Sequence, residues 1–453
     1  MLLVHVPKLT NRLGYTLNVV LKYLLHIEFS ITTSEEDFAN FGGARLCYGQ
    51  KRLCDSVFIK NSDLLMQTSI VDQEPRPFCR DGQWRMFPVY GRDLDFDFDP
   101  LVATFFMVSR YEEYLPHRCD EHGRFMPQDS IAFTAGFLRF PVVDQWACMI
   151  REALWKRYPG LVSPRIPYRF VQTVDIDAAW CYLHKGFFRS VTGLLRDAVW
   201  RRDWTEVRRR FRVLAGRERD PFDTFDFIIG HKSHSRNNYL IFFSLLADYD
   251  QYDKPTSHQN AQHRELLQHL GDHAKMGIHP GYYSQENPKA MDTEILRLEE
   301  ILHRKIVRAR YHFLRLRLPD SYRMLVHAGI RHDYTMGYAD AVGFRAGISI
   351  PYPFYDLERD HEGQLTVHPF CVMDTTLQKY LRQTPDEAIA TYRTLIDEVR
   401  RVDGDFCCIV HNQNLGELFG WQGWRRVYEE MIEYATPLPE QEKQQATSNI
   451  TEP

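Results

Sequence analysis

From Tyr168 onward, short apolar runs alternate with longer segments in which apolar residues recur at helical spacing. Residues 239–247 and 406–412 are mostly apolar and of strand length, so they predict buried strands. Residues 264–274 and 385–402 have the period of amphipathic helices. Because strands that alternate with helices are typical of a parallel sheet, we predict an α/β fold for this part of the chain.

The pattern before Tyr168 is less regular and mixes short strands with helices. It ends in a predicted helix, 144–157, and the turn-rich segment YPGLVSPRIP. We therefore predict an N-terminal mixed α/β domain of unknown function over residues 1–160 and a second domain over 168–435. The second domain contains a helical insertion at about 189–225, and the polar residues 436–453 are predicted to be a disordered tail.

Composition narrows the class of protein only a little. The 453 residues are 44% apolar and 26% charged with a net charge of −4, which is ordinary for a globular protein and leaves no overall basic footprint for nucleic acid. Nine cysteines without CxxC pairs indicate reduced thiols. The N-terminus lacks the order of a signal peptide, and no apolar stretch is long enough to cross a bilayer, so we expect a cytoplasmic protein without a transmembrane segment.

One basic segment departs from this average. Residues 189–219 hold ten arginines against four acids, and five apolar residues recur at helical spacing: Trp200, Trp204, Val207, Phe211 and Leu214. One interpretation is an amphipathic helix that contacts a membrane surface or an anionic polymer. The other is an inserted helical pair whose apolar stripe packs into the core while its basic face is solvated, and the stripe favours this second interpretation.

A second charged segment, residues 110–127, contains His117, Cys119 and His122. These residue types can bind a metal, but their spacing matches no common metal motif. An exposed polar loop is the favoured interpretation.

The stretch TVDID places Asp175 and Asp177 two residues apart at the end of an apolar run. As a strand it would direct both carboxylates to one face, where they repel each other. A divalent metal would relieve this repulsion, with one carboxylate as ligand and the other accepting a proton from water. The alternative is a pair at the end of a strand that caps the next helix.

Further polar residues follow apolar runs later in the chain. His279 lies in MGIHPGYYS, Arg310 and His312 lie two apart in the predicted strand VRARYHFLRL, and His411 ends the run CCIV. If 310 and 312 share a strand face, Arg310 can orient a carboxylate while His312 reaches a metal or substrate. Each residue alone has a structural alternative, such as strand-surface charge or a satisfied core histidine.

The order of these signals resembles the polysaccharide deacetylases of carbohydrate esterase family four, over about residues 168–435. Thr173-Val174-Asp175 matches the first family motif, with the second acid shifted to give D-x-D. Ile409-Val410-His411 resembles the last motif. The phrases GFRAG (343–347), VMD (372–374) and VHN (410–412) resemble a long bacterial subgroup that has an additional N-terminal domain. The resemblance implies a distorted (β/α) barrel with fewer than eight strands.

The resemblance also implies roles for individual residues. Asp175 would be the catalytic base, Arg310 would steady it, and His411 would be the acid. Asp177 and His279 would bind a divalent metal, with zinc first and cobalt or nickel as alternatives.

The family's second metal-binding histidine would fall on Tyr283, so this chain departs from the pattern there. His312 is our candidate for the missing ligand. The family's fourth motif has no clear counterpart; Asp333 and the GFRAG loop occupy its approximate region.

These roles predict a metal-dependent hydrolase that removes an acyl group from an N-acetylated amino sugar or polysaccharide precursor, with carbohydrate as the binding partner. A hydrolase of the same fold that acts on another amide is a second hypothesis. A third is a barrel with a decayed site that serves as a binding or scaffold protein. Tyr283 favours the third hypothesis, whereas the retained acids, Arg310 and His411 favour an enzyme.

Overall fold

The computed structural model describes residues 1–185, 204–232 and 238–436. The first part of the basic segment, 189–203, and the predicted tail from residue 437 lie outside the described residues.

The N-terminal part contains a small parallel sheet covered by helices. Its strands have the order β2-β1-β3-β4, all parallel, and a short antiparallel hairpin, β5–β6, follows them. The strands are β1 (Leu2–His5), β2 (Phe29–Thr32), β3 (Ala44–Gly49), β4 (Val57–Lys60), β5 (Phe78–Arg80) and β6 (Gln83–Arg85). The helices are α1 (Asn11–Leu17), which a π-helical stretch extends, α2 (Glu35–Asn40), α3 (Pro100–Val108), α4 (Ile131–Thr134) and α5 (Val142–Arg157).

The rest of the chain is organised around one nine-stranded sheet of order β12-β13-β11-β10-β9-β8-β7-β15-β14. Neighbouring strands are parallel except for the antiparallel pair β12–β13. The strands are β7 (Arg169–Ile176), β8 (Asn238–Ser244), β9 (Lys275–Ile278), β10 (Arg308–Ala309), β11 (His332–Asp333), β12 (Tyr352–Asp356), β13 (His361–Val367), β14 (Val372–Met373) and β15 (Asp405–His411).

The helices that connect these strands agree closely with the predicted periods. They are α6 (Trp204–Leu214), α7 (Phe225–Gly230), α8 (Ala261–His273), α9 (Pro288–Leu302), α10 (Asp320–His327), α11 (Pro385–Arg400) and α12 (Trp424–Ala435). Local signals set their ends: Asn260 caps α8, and Thr384 forms a capping box with Glu387 at the start of α11. The predicted parallel α/β architecture is thus confirmed.

The predicted barrel is not confirmed. The sheet has nine strands rather than fewer than eight, and its outermost strands, β12 and β14, do not pair with each other. The sheet is therefore open among the described residues. The hairpin β12–β13 adds two strands to the edge of the parallel series, where β13 pairs in parallel with β11.

The described part of the basic segment contains α6, but its apolar side chains are not all buried in the core, as the favoured interpretation predicts. Val207 and Val213 are buried, whereas Trp204, Phe211 and Leu214 are 63%, 56% and 48% exposed. The interpretation of the stripe as core packing is therefore wrong for three of its members. A membrane-surface contact remains a prediction.

The GFRAG loop joins the two parts of the molecule. Buried Arg345 donates two hydrogen bonds to Glu113 of the N-terminal part, at 2.9 and 2.7 Å. Gly343 has a φ of 128°, and a Cβ there would lie 2.2 Å from the carbonyl oxygen of Leu138. These residues therefore pack the N-terminal part against the large sheet.

Candidate active site

The predicted site residues meet at the carboxyl ends of neighbouring parallel strands. Asp175 of β7 and His411 of β15 are paired directly in the register of the two strands. His279 follows β9, and Arg310 follows β10, in which Ala309 pairs with Ile278. Because parallel strands end at the same edge of the sheet, residues 236 positions apart in sequence lie next to each other.

Asp177, His279 and His312 form a cluster suited to a metal ion. Their candidate ligand atoms all lie within 4.8 Å of one another. Oδ1 of Asp177 is 3.5 Å from Nε2 of His279 and 3.6 Å from Nε2 of His312. This buried oxygen makes no hydrogen bond with any described residue, so it has a free acceptor position directed between the two imidazoles.

Both histidines are oriented so that Nε2 faces the cluster. Nδ1 of His279 lies 2.5 Å from the carbonyl oxygen of Arg310, which fixes Nδ1 as the protonated nitrogen. Nδ1 of His312 lies 2.6 Å from Oδ1 of Asp253, with the same consequence. Metal-binding histidines are commonly held by a carbonyl or carboxylate in this way, so the three residues fit a divalent ion.

His312 reaches the cluster by a turn rather than along a strand. The predicted strand over 307–316 ends at Ala309, and His312–Leu314 form a short 3-10 turn in which Phe313 has a φ of 58°. The prediction that residues 310 and 312 share a strand face is therefore wrong, although both side chains reach the site.

The backbone of Gly281 and Tyr282 holds the carboxylate of Asp253 in place. Oδ2 of Asp253 accepts a hydrogen bond from the backbone N–H of Tyr282 at 2.8 Å. A Cβ at position 281 would lie 2.6 Å from this oxygen, so only Gly281 leaves room for the approach.

Asp175 is held by a buried arginine. Nη1 of Arg310 donates to Oδ1 of Asp175 at 2.7 Å, and its Nε donates to the carbonyl oxygen of Tyr334 at 2.9 Å. The guanidinium carbon lies 4.5 Å from the centre of the Phe243 ring. Oδ2 of Asp175 is left facing the cluster, 3.8 Å from Nε2 of His279.

His411 lies on the other side of Asp177, with 4.0 Å between its Nε2 and Oδ2 of Asp177. Asp374 holds its Nδ1 at 2.7 Å and accepts its backbone N–H at 2.8 Å. Burial lowers the pKa of His411, but the carboxylate of Asp374, with help from Asp177 and Asp175, outweighs burial and raises the pKa to about 9. The imidazole is thus set to carry a proton on Nε2.

The same charges act on the carboxylate and on His279. Burial raises the pKa of Asp177, but contact with His279 and the charges of His312 and His411 together hold the pKa well below its ordinary value. Burial lowers the pKa of His279, whereas Asp175 and Asp177 raise it by more. Asp177 and His279 therefore shift each other's pKa.

Sequence reasoning assigned no role to three polar residues of the site, although Asp374 belongs to the VMD phrase. Asp374 holds His411, Asp253 holds His312, and Gln413 donates to Oδ2 of Asp177 at 3.2 Å. Asp374 follows the apolar strand β14 directly, which is the signal that identified Asp175. Asp253 is one of several acids in a loop and carries no such signal.

The position of the missing family histidine lies away from the cluster. Tyr283 is 50% exposed, and its ring contacts Tyr252 and Tyr282 at centroid distances of 6.1 and 5.2 Å. Asp333 and the GFRAG loop also make their contacts outside the cluster. Asp333 accepts hydrogen bonds from Tyr322 and Thr335.

The charged loop 110–127 does not form a second metal cluster among the described residues, where the group of Asp177, His279 and His312 alone fits an ion. His117 and Cys119 are exposed, whereas His122 is largely covered and contacts the hydroxyl of Tyr282. The interpretation as an exposed loop holds for part of it.

The family of unknown function DUF7033 matches residues 2–159. No curated protein matches the chain. Across residues 1–185, 204–232 and 238–436, no helix is long and apolar enough to cross a membrane.

The chain is similar in structure to polysaccharide deacetylases over about 60% of its length. A Mycobacterium smegmatis protein assigned to that class is 17% identical, with 60% of this chain and 87% of that chain covered and a TM-score of 0.37. A probable polysaccharide deacetylase from Pseudomonas aeruginosa PAO1 is 15% identical, with 60% and 85% covered and a TM-score of 0.36. Agd3, described as a novel carbohydrate deacetylase, is 9% identical, with 98% and 84% covered and a TM-score of 0.36.

Proposed function

We propose that this protein is a metal-dependent hydrolase that removes an acyl group from an N-acylated amino sugar. The observation that carries the proposal is the convergence of Asp177, His279 and His312, with ligand atoms within 4.8 Å of one another beside Asp175 and His411. The motif order that resembles polysaccharide deacetylases supports carbohydrate as the substrate class.

A divalent ion bound by these three residues would polarise the amide carbonyl and lower the pKa of a water molecule. Asp175 accepts the proton of the attacking water at Oδ2, because Arg310 engages Oδ1. Arg310 thus acts as a positioning residue that keeps the base fixed.

His411 protonates the departing amine nitrogen from Nε2. Its Nδ1 is directed at Asp374, so Nε2 is the nitrogen that faces the site. The base and the acid lie on neighbouring strands with Asp177 next to both, so a substrate amide would be bound between them. This division of labour matches general acid–base catalysis of acyl transfer.

The alternative function is a scaffold protein with a decayed site, which is favoured by Tyr283 in place of the family's second metal-binding histidine. His312 weakens that support, because it brings a third ligand to the cluster from a different element. A site that had lost its function would have no need for Asp253 to orient His312 or for Asp374 to orient His411.

The test is metal content followed by turnover. Protein purified without chelator is expected to hold one equivalent of a divalent metal, zinc first and cobalt or nickel as alternatives, and to lose it in Asp177→Ala, His279→Ala and His312→Ala. Acetate release from N-acetylhexosamine oligomers should depend on that metal, and His411→Ala should keep the metal but lose turnover. Metal-free protein whose melting temperature does not rise with added zinc, cobalt or nickel would favour the scaffold.

A further inference from the structure

A hairpin of the N-terminal part lies against the turn that carries His312. The hairpin comprises residues 118–126 and is closed by a backbone bridge between Cys119 and Phe125. We call residues 312–315 the His312 turn. The hairpin and the turn are far apart in sequence, so only the tertiary fold brings them together.

The His312 turn has an unfavourable backbone conformation. Phe313 and Leu314 have φ angles of 58° and 54°, although neither is a glycine. Left-handed conformations are disfavoured for such residues, and they persist where surrounding contacts enforce them. Within the turn, Leu314 N–H bonds to the carbonyl of Tyr311 at 3.0 Å, and Arg315 N–H bonds only weakly to that of His312 at 3.4 Å.

The hairpin supplies contacts that hold this conformation. Nη1 of Arg124 donates to the carbonyl oxygen of Phe313 at 3.0 Å. In the opposite direction, Nε of Arg315 donates to the carbonyl oxygen of His122 at 2.9 Å, and the His122 ring lies 4.9 Å from the Phe313 ring. The hairpin therefore holds the turn at Phe313 and at Arg315.

Arg124 is itself fixed in place. Its Nε donates to Oδ2 of Asp120 at 2.6 Å, its backbone N–H donates to Oδ1 of the same residue at 2.9 Å, and the residue is 9% exposed. The guanidinium also reaches the hydroxyl of Tyr380 at 3.5 Å. A side chain held at this many points presents its remaining donor to Phe313 with little freedom.

We propose that Arg124 is a positioning residue of the metal site, which makes the N-terminal hairpin a working part of that site. Arg124 fixes the Phe313 carbonyl and with it the backbone of His312, so that Nε2 of His312 stays directed at Asp177. This inference rests on the proposed function for its metal, but not for the contact between hairpin and turn. Ligand geometry must be held within a fraction of an ångström, so a loose His312 turn weakens metal binding.

The first test measures metal binding in the full-length protein. Cobalt is titrated into wild type, Arg124→Met and the matched control Arg118→Met, with visible absorption as the signal. Arg118 lies on the same hairpin but is 67% exposed, and it pairs with Asp129. Arg124→Met is expected to raise the Kd for cobalt about tenfold and to alter the absorption bands, because a ligand is displaced. Arg118→Met is expected to match wild type.

The second test needs no metal. Hydrogen–deuterium exchange of metal-free protein should be faster in the peptide over residues 310–318 of Arg124→Met, and unchanged in Arg118→Met. If Arg124→Met does not fold, Asp120→Asn loosens the guanidinium without removing it, and a smaller change in the same direction is expected. A wild-type cobalt Kd or wild-type exchange in the variant overturns the inference. If wild type binds neither cobalt nor zinc nor nickel, the proposed function fails, and the exchange result alone decides the role of Arg124.

Discussion

The substitution Asp253→Asn tests the orientation of His312 with the smallest change of shape. Asp253 is buried, and its two oxygens accept from two different donors: Nδ1–H of His312 at 2.6 Å and the backbone N–H of Tyr282 at 2.8 Å. An asparagine has one oxygen, so it can satisfy one donor only. The backbone N–H cannot move or lose its proton, so we expect the asparagine oxygen to turn towards Tyr282.

The amide NH₂ of the asparagine then faces Nδ1 of His312, which must become an acceptor. The imidazole changes to the tautomer that carries its proton on Nε2, the nitrogen that faces Asp177. A protonated Nε2 cannot bind a metal, so binding must first reverse the tautomer and leave a donor unsatisfied. Removing such a partner costs about 10- to 100-fold in metal affinity, or roughly 1.4–2.8 kcal/mol.

The assay is competition for zinc between the protein and a chromophoric chelator of known affinity. The matched control is Asp248→Asn, because Asp248 is an acid of the same loop that is 87% exposed and pairs with Arg297. We expect the control to bind zinc as wild type does. A zinc Kd of Asp253→Asn within threefold of wild type would refute the reasoning, since His312 would then not be a ligand or would not depend on Asp253.

The remaining predictions concern the base, the family motif and the effect of pH. Arg310→Met should lower the free energy of unfolding by about 3–5 kcal/mol in urea titrations, because it leaves buried Asp175 without its ion pair; a loss below about 1 kcal/mol would speak against a buried charge there. Tyr283→Ala should leave the zinc Kd unchanged, because its side chain is half exposed and not in the cluster; a tenfold weaker Kd would mean that it contributes to the site. Burial raises the pKa of Asp144 to about 7, and Ser349 donates to it. The folded protein therefore keeps this proton between about pH 4 and 7 while the unfolded chain loses it, so stability falls as pH rises through that window. Asp144→Asn should remove up to about 3 kcal/mol of that dependence between pH 5 and 8, and parallel pH profiles of variant and wild type would contradict this.

Much of the fold and part of the candidate site could be read from the pattern along the chain. In β15 an apolar run over residues 406–410 ends in His411. The mainly apolar strand β7 carries Asp175 near its end and is followed by Asp177, so both strands and the polar groups at their ends were predictable. The helix α11 was predictable for a similar reason, since its period and its Thr384 cap are local signals.

Other features depend on contacts between distant segments. The hairpin β12–β13 joins the sheet through the parallel pairing of β13 with β11, in which Asp333 pairs with Val367, and it extends the sheet without closing it. The approach of His312 also differs from the prediction, because the strand stops at Ala309 and a turn with two left-handed residues follows. The residues of this turn carry no local sequence signal for its conformation, since contacts with the hairpin hold the turn in place.

The sequence by itself determined the polar residues at the ends of β7, β9 and β15, because a buried parallel strand is a short apolar run and the polar residues begin where that run ends. Only the tertiary structure decided which of many acids hold those residues. Asp253 and Asp374 hold His312 and His411 because the fold places them next to these histidines, whereas Tyr283 lies outside the cluster. The physical reason is that hydrogen-bond geometry is set by distances across the folded chain, whereas hydrophobic period is set by neighbours along it.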